Sequence, residues 1–299
     1  MTVFPLEWLS AAALLGALTF YLLFGGADFG AGLWTWCFRG PLAQRQRALV
    51  DQAIGPIWEA NHVWLIVAVT ILFTAFPAAF ATLATALHIP LSLMLIGVVL
   101  RGTAFAVRTH DVTSRADGSS STPVVWRRIF AGSSLVTPAL LGITIGAVAS
   151  GGISAPRTSD TFAETFIAPW LAPFPISVGL LTVALVAQLA AVYLLVESRE
   201  AELKRLFRRR TFAASAAVFF ASVVSLLLCE SGAPALYQRL TDTAPGVGMV
   251  MLTGGLEGAT MAALLRRRAG PARAFAAAGA VSFLWGWAVA QFPYLLPPL

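Results

Sequence analysis

The sequence predicts an all-α, polytopic integral membrane protein with about eight transmembrane helices. Hydrophobic residues make up 58% of its 299 residues and charged residues only 11%, and the mean hydropathy is +0.79. A helix of roughly 20 apolar residues crosses a ~30 Å hydrocarbon core. We expect a single membrane domain over residues 1–299, built as two four-helix groups divided at the charged segment 197–211. Apolar runs of spanning length predict helices at about 9–35, 55–76, 81–106, 127–150, 168–196, 212–230, 246–265 and 273–295.

The residues that flank these runs support each helix in turn. The only charged residue before the first run is Glu7, so we expect a membrane helix there rather than a signal peptide, which begins with basic residues. Pro56 suits the first turn of the second helix. Only Phe76, Pro77 and their neighbours separate the second and third helices, which predicts a tight helical hairpin. Polar stretches that contain Gly and Ser are predicted to be connections at 117–121, 151–165 and 231–245.

The basic residues predict the orientation, because positively charged loops stay on the cytoplasmic side of a membrane. Seventeen of the 20 Lys and Arg residues fall in, or directly beside, the predicted loops at 37–54, 107–126, 197–211 and 266–273. The intervening loops carry only Arg157 and Arg239. We therefore expect the four basic loops in the cytoplasm and both termini outside. This asymmetry accounts for the pI of about 10.1 without a nucleic-acid partner.

Four ionisable side chains lie inside the predicted helices, namely Asp28, Glu59, Arg101 and Glu257. Such a group at membrane depth costs on the order of 3 kcal/mol unless it is paired or hydrated, which favours a functional polar site. Asp28, Glu59 and Arg101 can gather with His62 near the predicted cytoplasmic face. As alternatives, Asp28 can bond a neighbouring helix in a glycine-rich seam, and Arg101 can extend to the membrane interface. Glu257 lies among glycines, and the sequence does not identify its partner.

The segment 58–64 holds the densest polar cluster. At 100° per residue, Trp58, Glu59 and His62 share one arc of the helix. Asn61 lies at the edge of that arc, and Trp64 points elsewhere. Glu59 and His62 are three residues apart, so they can share a proton or a hydrogen bond. The alternative is a buried polar cluster that only holds helices together.

The histidines raise two metal hypotheses. A Glu-x-x-His pair is part of a di-iron motif, but such sites need a second pair and two further glutamates, and neither His88 nor His110 follows a Glu at that spacing. His62 and His88 are the histidines at predicted membrane depth, where a single His can hold haem iron. A lone intramembrane His is more often part of a hydrogen-bonded structure. We therefore predict that this chain binds no metal and no cofactor.

The pattern Trp58-Glu59-x-Asn61-x-Val63-Trp64 closely resembles a motif in subunit II of the cytochrome bd family of quinol oxidases. Weaker matches extend the resemblance over essentially the whole chain. They lie at 28–32, 54–67, 73–77, 101–105, 108, 285–288 and 291–294.

This resemblance implies a heterodimeric terminal oxidase that oxidises quinol and reduces O₂ to water. Haems b and d and the quinol site would belong to the partner, subunit I, and this chain would contain no catalytic residue. Subunit II of this family supports the haem subunit and helps form a cytoplasmic proton path and oxygen access. The implied location is the inner (cytoplasmic) membrane of a bacterium. A small accessory membrane subunit and a structurally bound quinone are compatible with the resemblance.

Individual positions carry the family's residue roles over to this sequence. Trp58, Glu59 and Trp64 coincide with a tryptophan–acid–tryptophan motif, and Glu59 matches the acid assigned to proton transfer. Arg101 matches the arginine of the same path, and Asp28 matches a family acid in the first helix. The expected proton path therefore combines these three charged residues with His62, and Trp58, Asn61 and Trp64 form the supporting motif.

Two positions depart from the family pattern. Gly25 stands where some members have an acid, and Ala106 stands where many have Asp or Glu. The chain also has eight predicted helices where longer members have nine. These departures leave open a purely structural assembly subunit. A proton-coupled secondary transporter is a further alternative, because buried acids and glycine-interrupted helices are features of transporters.

Overall fold

The computed structural model describes residues 6–113, 124–153 and 161–296, with the side chains of 54–60 and 108–113 outside that description. Within these ranges the chain forms twelve α-helices, one short 3-10 turn (Thr35–Cys37) and no strand. The helices are α1 (Leu6–Trp34), α2 (Ala43–Ala75), α3 (Pro77–Ala86), α4 (His88–Thr113), α5 (Val124–Ala149), α6 (Phe162–Phe166), α7 (Ala168–Leu171), α8 (Pro173–Glu197), α9 (Ala201–Gly232), α10 (Pro234–Asp242), α11 (Ala244–Leu265) and α12 (Ala269–Gln291).

Seven of the described helices are long and apolar enough to cross a membrane, namely α1, α4, α5, α8, α9, α11 and α12. The Asn61–Ala75 part of α2 and the short α3 form an eighth candidate span, which is bent by 115° where the two helices meet. The predicted fold class, an all-helical multi-pass membrane protein with seven or eight spans, is therefore confirmed.

The predicted tight hairpin between the second and third membrane helices is wrong, because α3 lies between them. The third membrane helix, α4, begins at His88 rather than at residue 81. Pro77 has no N–H with which to continue the hydrogen bonds of α2, and its fixed φ suits the first turn of a new helix. Phe76 leaves the helical conformation, with φ −132° and ψ 55°. The chain therefore turns twice before it recrosses.

Two membrane helices are longer than predicted. α2 begins at residue 43 instead of 55, and α9 begins at 201 instead of 212. They contain 33 and 32 residues, so each is about 50 Å long at 1.5 Å per residue and exceeds a ~30 Å hydrocarbon core. Their first turns are rich in Arg, Lys, Gln and Glu, which are good helix formers but polar. The predicted loops 37–54 and 197–211 are therefore largely helical, since apolar composition locates only the embedded part.

Short helices replace other predicted connections. α10 occupies much of the segment 231–245, and α7 and α8 divide the predicted helix 168–196 just before Pro173. α6 begins with a capping box, in which the N–H and hydroxyl of Thr161 donate to Glu164 at 2.9 and 2.7 Å. These two bonds lower the pKa of the exposed Glu164 carboxyl.

α8 lies at the centre of the bundle and contacts α1, α5, α9 and α12. Ala190, Ala191 and Leu194 of α8 are completely buried. At the crossing with α1, Gly30 faces the backbone carbonyl of Val186, and a side chain at position 30 would collide with that carbonyl. The predicted division at residues 197–211 follows α8, so among the described spans it leaves five before it and three after it rather than four on each side. α8 contacts α1 and α5 before this division and α9 and α12 after it, so the two groups meet along α8.

Candidate functional site

Asp28 of α1 and Arg101 of α4 form a buried ion pair. The guanidinium donates from Nη1 to Asp28 Oδ2 and from Nη2 to Asp28 Oδ1, both at 2.6 Å. Nη2 also donates to the backbone carbonyl of Asp28 at 3.0 Å. Asp28 is 0% exposed and Arg101 is 1% exposed. This bidentate geometry is the strong form of a carboxylate–guanidinium contact, and it ties α4 to α1.

A third helix completes the surroundings of the guanidinium. Arg101 Nε donates to Ser134 Oγ of α5 at 3.0 Å. The rings of Phe29 and Phe130 lie 4.7 and 4.9 Å from the guanidinium carbon, a cation–π geometry that contributes about 0.5–2 kcal/mol. The alternative in which Arg101 extends to the membrane interface is wrong, because its charged end is buried and paired.

Asn61 of α2 also contacts the pair. Its Nδ2 donates to Asp28 Oδ2 at 3.4 Å, which is a long hydrogen bond. The residue is 1% exposed, and its Oδ1 has no hydrogen-bond partner among the described residues. A buried amide oxygen without a partner costs about 1–3 kcal/mol. This oxygen is therefore an acceptor for which the described residues supply no donor.

Two glycines of α1 make room for these contacts. A Cβ at Gly25 would lie 2.7 Å from Asn61 Oδ1, and a Cβ at Gly32 would collide with Ser134 Oγ. Position 25 is where some members of the resembling family have an acid. An acid at this position would displace Asn61 from its contact with Asp28. The glycine and the asparagine therefore form one packing unit.

The structure tests the predicted cluster only in part. Trp58 and Glu59 lie in α2, but their side chains fall outside the described part of the structure. His62 is half-buried. Of the four residues predicted to gather near one membrane face, the structure thus brings Asp28 and Arg101 together. The placement of Glu59 relative to this pair stays a prediction.

Trp64 and His88 each contact a residue of another helix. The Trp64 ring stacks on Phe20, with centroids 4.3 Å apart, and so packs α2 against α1. His88 is exposed at the start of α4, where its Nδ1 lies 2.9 Å from the carbonyl oxygen of Thr85. The ring of Phe166 meets it at 5.0 Å.

Glu257 belongs to a second buried polar cluster, between α8, α9 and α11. Gln188 Nε2 donates to Glu257 Oε2 at 2.6 Å and to Ser215 Oγ at 3.0 Å. Glu257 is 8% exposed, and Oε1 of both Glu257 and Gln188 has no hydrogen-bond partner among the described residues. The partner that the sequence did not identify is therefore Gln188. The structure does not join this cluster to the ion pair of α1 and α4.

Sequence reasoning missed Ser134 and Gln188. A serine in a membrane helix is a weak signal, because its hydroxyl usually bonds to its own backbone, as Ser134 Oγ also does to the carbonyl of Phe130 at 2.6 Å. Gln188 is a stronger signal, since it is an uncharged polar residue in the middle of the most apolar helix. Among the described residues, no group of three or more His, Cys, Asp or Glu gathers closely enough to hold a metal ion.

The fold and this site define a multi-pass helical membrane protein whose α1, α4 and α5 are joined by one buried Asp–Arg pair. Residues 6–299 match the family described as cytochrome bd terminal oxidase subunit II. The chain belongs to this family, as the resemblance of the segment 58–64 predicted.

Relatives of known function support the assignment. The chain is 34% identical over 136 residues to cytochrome bd ubiquinol oxidase subunit 2 of Bacillus subtilis, which covers 46% of this chain and 37% of that protein. It is 28% identical over 178 residues to cytochrome bd-I ubiquinol oxidase subunit 2 of Escherichia coli, which covers 56% of this chain and 43% of that protein. The chain thus spans less than half the length of these two relatives.

A solved structure supports the fold. The chain is similar to one chain in the structure of bd oxidase from Geobacillus thermodenitrificans, with a TM-score of 0.79 and 22% sequence identity. The match covers 99% of this chain and 87% of that chain. At this level of identity the likeness establishes the arrangement of the helices.

Proposed function

We propose that this chain is subunit II of a heterodimeric bd-type oxidase in the cytoplasmic membrane of a bacterium. The haem-bearing subunit I would oxidise quinol and reduce O₂ to water, and this chain would support that subunit without catalytic residues of its own. The family match over residues 6–299 is the observation that carries the proposal. A small accessory membrane subunit and oxygen access along this chain belong to the same proposal.

Haems b and d supply the redox chemistry of such a complex, and we assign them to subunit I. The family match over residues 6–299 supports that assignment. In this proposal, the residues of this chain hold its helices in position and transfer protons.

The Asp28–Arg101 pair serves in this proposal as the anchor of the first helix group. Two charges moved out of water cost several kcal/mol each, and only a closely matched pair with further hydrogen bonds compensates for that cost. Arg101 makes four such bonds, to Asp28 and Ser134. The anchor therefore fixes α1, α4 and α5, and through Asn61 it reaches α2.

We assign a proton path from the cytoplasm to Asp28, Glu59, His62 and Arg101. Glu59 is the exchanging group of this path, and the buried ion pair sets the local electrostatic potential. Glu59 and Asn61 lie two residues apart in α2, and the unpartnered Asn61 Oδ1 offers an acceptor for an ordered water beside Asp28. Such a water would connect α2 to the ion pair.

Co-expression with a candidate subunit I tests the oxidase proposal. The discriminating partner is a larger membrane protein with His and Met residues, encoded next to this chain's gene. A tag on this chain should retain a haem-containing complex that consumes O₂ when quinol is added, and the chain expressed alone should show no Soret band. A chain that purifies without a haem subunit and moves a solute in a proton-dependent manner would instead establish the transporter alternative.

A further inference from the structure

A basic pocket lies beside the ends of α8 and α11 and the starts of α9 and α12. Its cavity has a volume of about 350 Å³ and is bounded by α8, α9 and the α11–α12 turn. Lys204, Arg205 and Arg208 line it from α9, and Arg267 and Arg268 line it from the turn. No acidic residue is among the described residues that line it.

Two helix N-termini also face this pocket. Ala201 begins α9 and Ala269 begins α12, and both residues line the cavity. Neither helix has a side chain that caps its first N–H groups. Unbonded N–H groups and the helix dipole make a helix N-terminus favourable for an anion. Two helix ends and five basic side chains therefore provide matching donors around one space.

The turn that presents Arg267 adopts a backbone conformation that arginine rarely takes. Arg267 has φ 56°, and its N–H bonds to Leu264 at 3.1 Å while that of Arg268 bonds to Ala263 at 2.9 Å. This pattern is a Schellman motif, whose left-handed residue is usually Gly or Asn. An arginine there costs about 1–2 kcal/mol. Its presence at a strained position that lines the pocket indicates a role other than stability.

Three acidic side chains near the pocket contact arginines that do not line it. Glu200 and Glu202 accept hydrogen bonds from Arg45 of α2 at 3.1 and 3.3 Å. Glu197 lies 3.7 Å from Arg273. Glu200 and Glu202 share the single Arg45 guanidinium, so these three acids leave one uncompensated negative charge near five basic side chains, and the pocket stays net positive.

We propose that this pocket binds the phosphate group of an anionic phospholipid in the leaflet that faces the basic loops. The inner wall of the pocket contains Leu195 and Leu264, which are 5% and 3% exposed, so apolar and basic surface meet there. The pocket also lies where α8 and α11 end and the polar first turns of α9 begin, which is the level of lipid headgroups. Clustered basic residues in such a position attract anionic lipid heads.

Lipid-binding measurements on two matched double variants test this site. The full chain, with any subunit that accompanies it, is purified in detergent, freed of lipid and titrated with short-chain phosphatidylglycerol. Bound lipid is counted by native mass spectrometry. Arg208→Gln with Arg268→Gln removes two pocket charges, and Arg209→Gln with Arg266→Gln removes two charges one residue away that do not line the pocket. Both variants lose the same net charge from the same two segments.

The pocket variant should bind phosphatidylglycerol about 25-fold more weakly than the control variant, since it loses two facing arginines and each contributes roughly a fivefold factor. Phosphatidylcholine should bind both equally. Equal loss in the two variants would reduce the effect to general surface charge and overturn the proposal. Displacement of the lipid by inorganic phosphate at equal concentration would assign the site to a free anion and would also overturn it.

The variant Arg267→Gly adds a second, independent readout. It removes one pocket charge and relieves the left-handed conformation, so lipid binding should fall while thermal stability rises or stays constant. A variant that retains full lipid binding would exclude Arg267 from the site and contradict the proposal. These readouts use neither haem nor oxygen consumption, so they stand apart from the test of the oxidase function.

Discussion

Arg101 donates to both carboxylate oxygens of Asp28 at 2.6 Å, and through Nε it also reaches Ser134. One side chain on α4 therefore holds α1 and α5 at the same time. The guanidinium is the only side chain whose fixed fork of donors can make these bonds together, since an ammonium has no planar second edge. The pair consequently constrains helix rotation as well as helix distance.

Breaking the ion pair should destabilise the chain strongly. Arg101→Leu leaves the Asp28 carboxylate buried without its cation, and loss of one partner in a buried pair costs about 3–5 kcal/mol. Arg101→Lys keeps the charge but loses the bidentate contact, so it should cost less. Thermal unfolding in detergent measures the stability of both variants, and Arg101→Leu should have the lower melting temperature. Arg128→Leu, at an exposed position of α5, is the control and should change little.

A neutral replacement of both partners should recover much of that loss. Asp28→Asn with Arg101→Gln removes both buried charges, so the double variant should be more stable than Arg101→Leu alone. If it is less stable than Arg101→Leu, two buried amides cost more than one buried carboxylate without its cation, which would contradict a dominant charge penalty at this site.

Ser134 and its neighbour in sequence provide a matched comparison. Ser134 Oγ accepts a hydrogen bond from Arg101, whereas Ser133 Oγ donates to backbone carbonyls of its own helix. Both serines are buried. Ser134→Ala should therefore cost about 1.5–3 kcal/mol, the range for a hydrogen bond to a charged group, and Ser133→Ala should cost clearly less. Equal melting temperatures for the two variants would contradict a stabilising contact at Arg101 Nε.

The sequence identified Asp28, Arg101 and Glu257 individually, because an ionisable residue in an apolar segment is visible without any structure. Their partners depend on the relative rotation and depth of helices, and that is set by close contacts such as Gly30 with Val186. Distances of this kind leave no pattern in one sequence. Ser134 and Gln188 were missed for the same reason, since their importance comes only from what lies opposite.

The ends of the membrane helices were also predicted only in part. Apolar composition located the embedded parts of α2 and α9, but the polar first turns of both helices continue beyond them. Helix propensity favours such polar turns, and a hydropathy scale does not measure helix propensity. The position of α3 was also not predicted, because Pro77 marks a break without specifying the 115° bend that follows.

The α1–α8 crossing should tolerate no side chain at Gly30. Gly30→Ala places a methyl group against the backbone carbonyl of Val186, which cannot rotate away. We expect a loss of at least about 2 kcal/mol, as for other overpacked positions. Gly16→Ala in the same helix is the control, because nothing lies within 4 Å of its Cβ position. Gly16→Ala should stabilise the helix by up to about 1 kcal/mol. A similar gain for Gly30→Ala would contradict the close contact between Gly30 and the Val186 carbonyl.

The two cysteines make the predicted topology testable without introducing a label site. Cys37 is exposed after α1, and Cys229 is buried at the far end of α9. If the basic loops face the cytoplasm, a membrane-impermeant thiol reagent should label Cys37 in inverted vesicles and not in intact cells. Cys37→Ser is the control and should abolish labelling. Labelling of Cys37 in intact cells would reverse the orientation.

Glu59 is the residue on which the proton path depends. Glu59→Gln keeps the volume of the side chain but cannot ionise, so assembly and haem content of the complex should survive. Turnover should fall by about a hundredfold, the lower end of the range for loss of a positioned proton-transfer group. Glu59→Asp keeps the acid and should retain much of the activity. Oxygen consumption normalised to haem measures both. A structural role predicts the opposite result, in which yield falls but the rate per haem is constant, because a group that only holds helices in place does not limit proton delivery. An unchanged rate per haem in Glu59→Gln would therefore end the relay hypothesis.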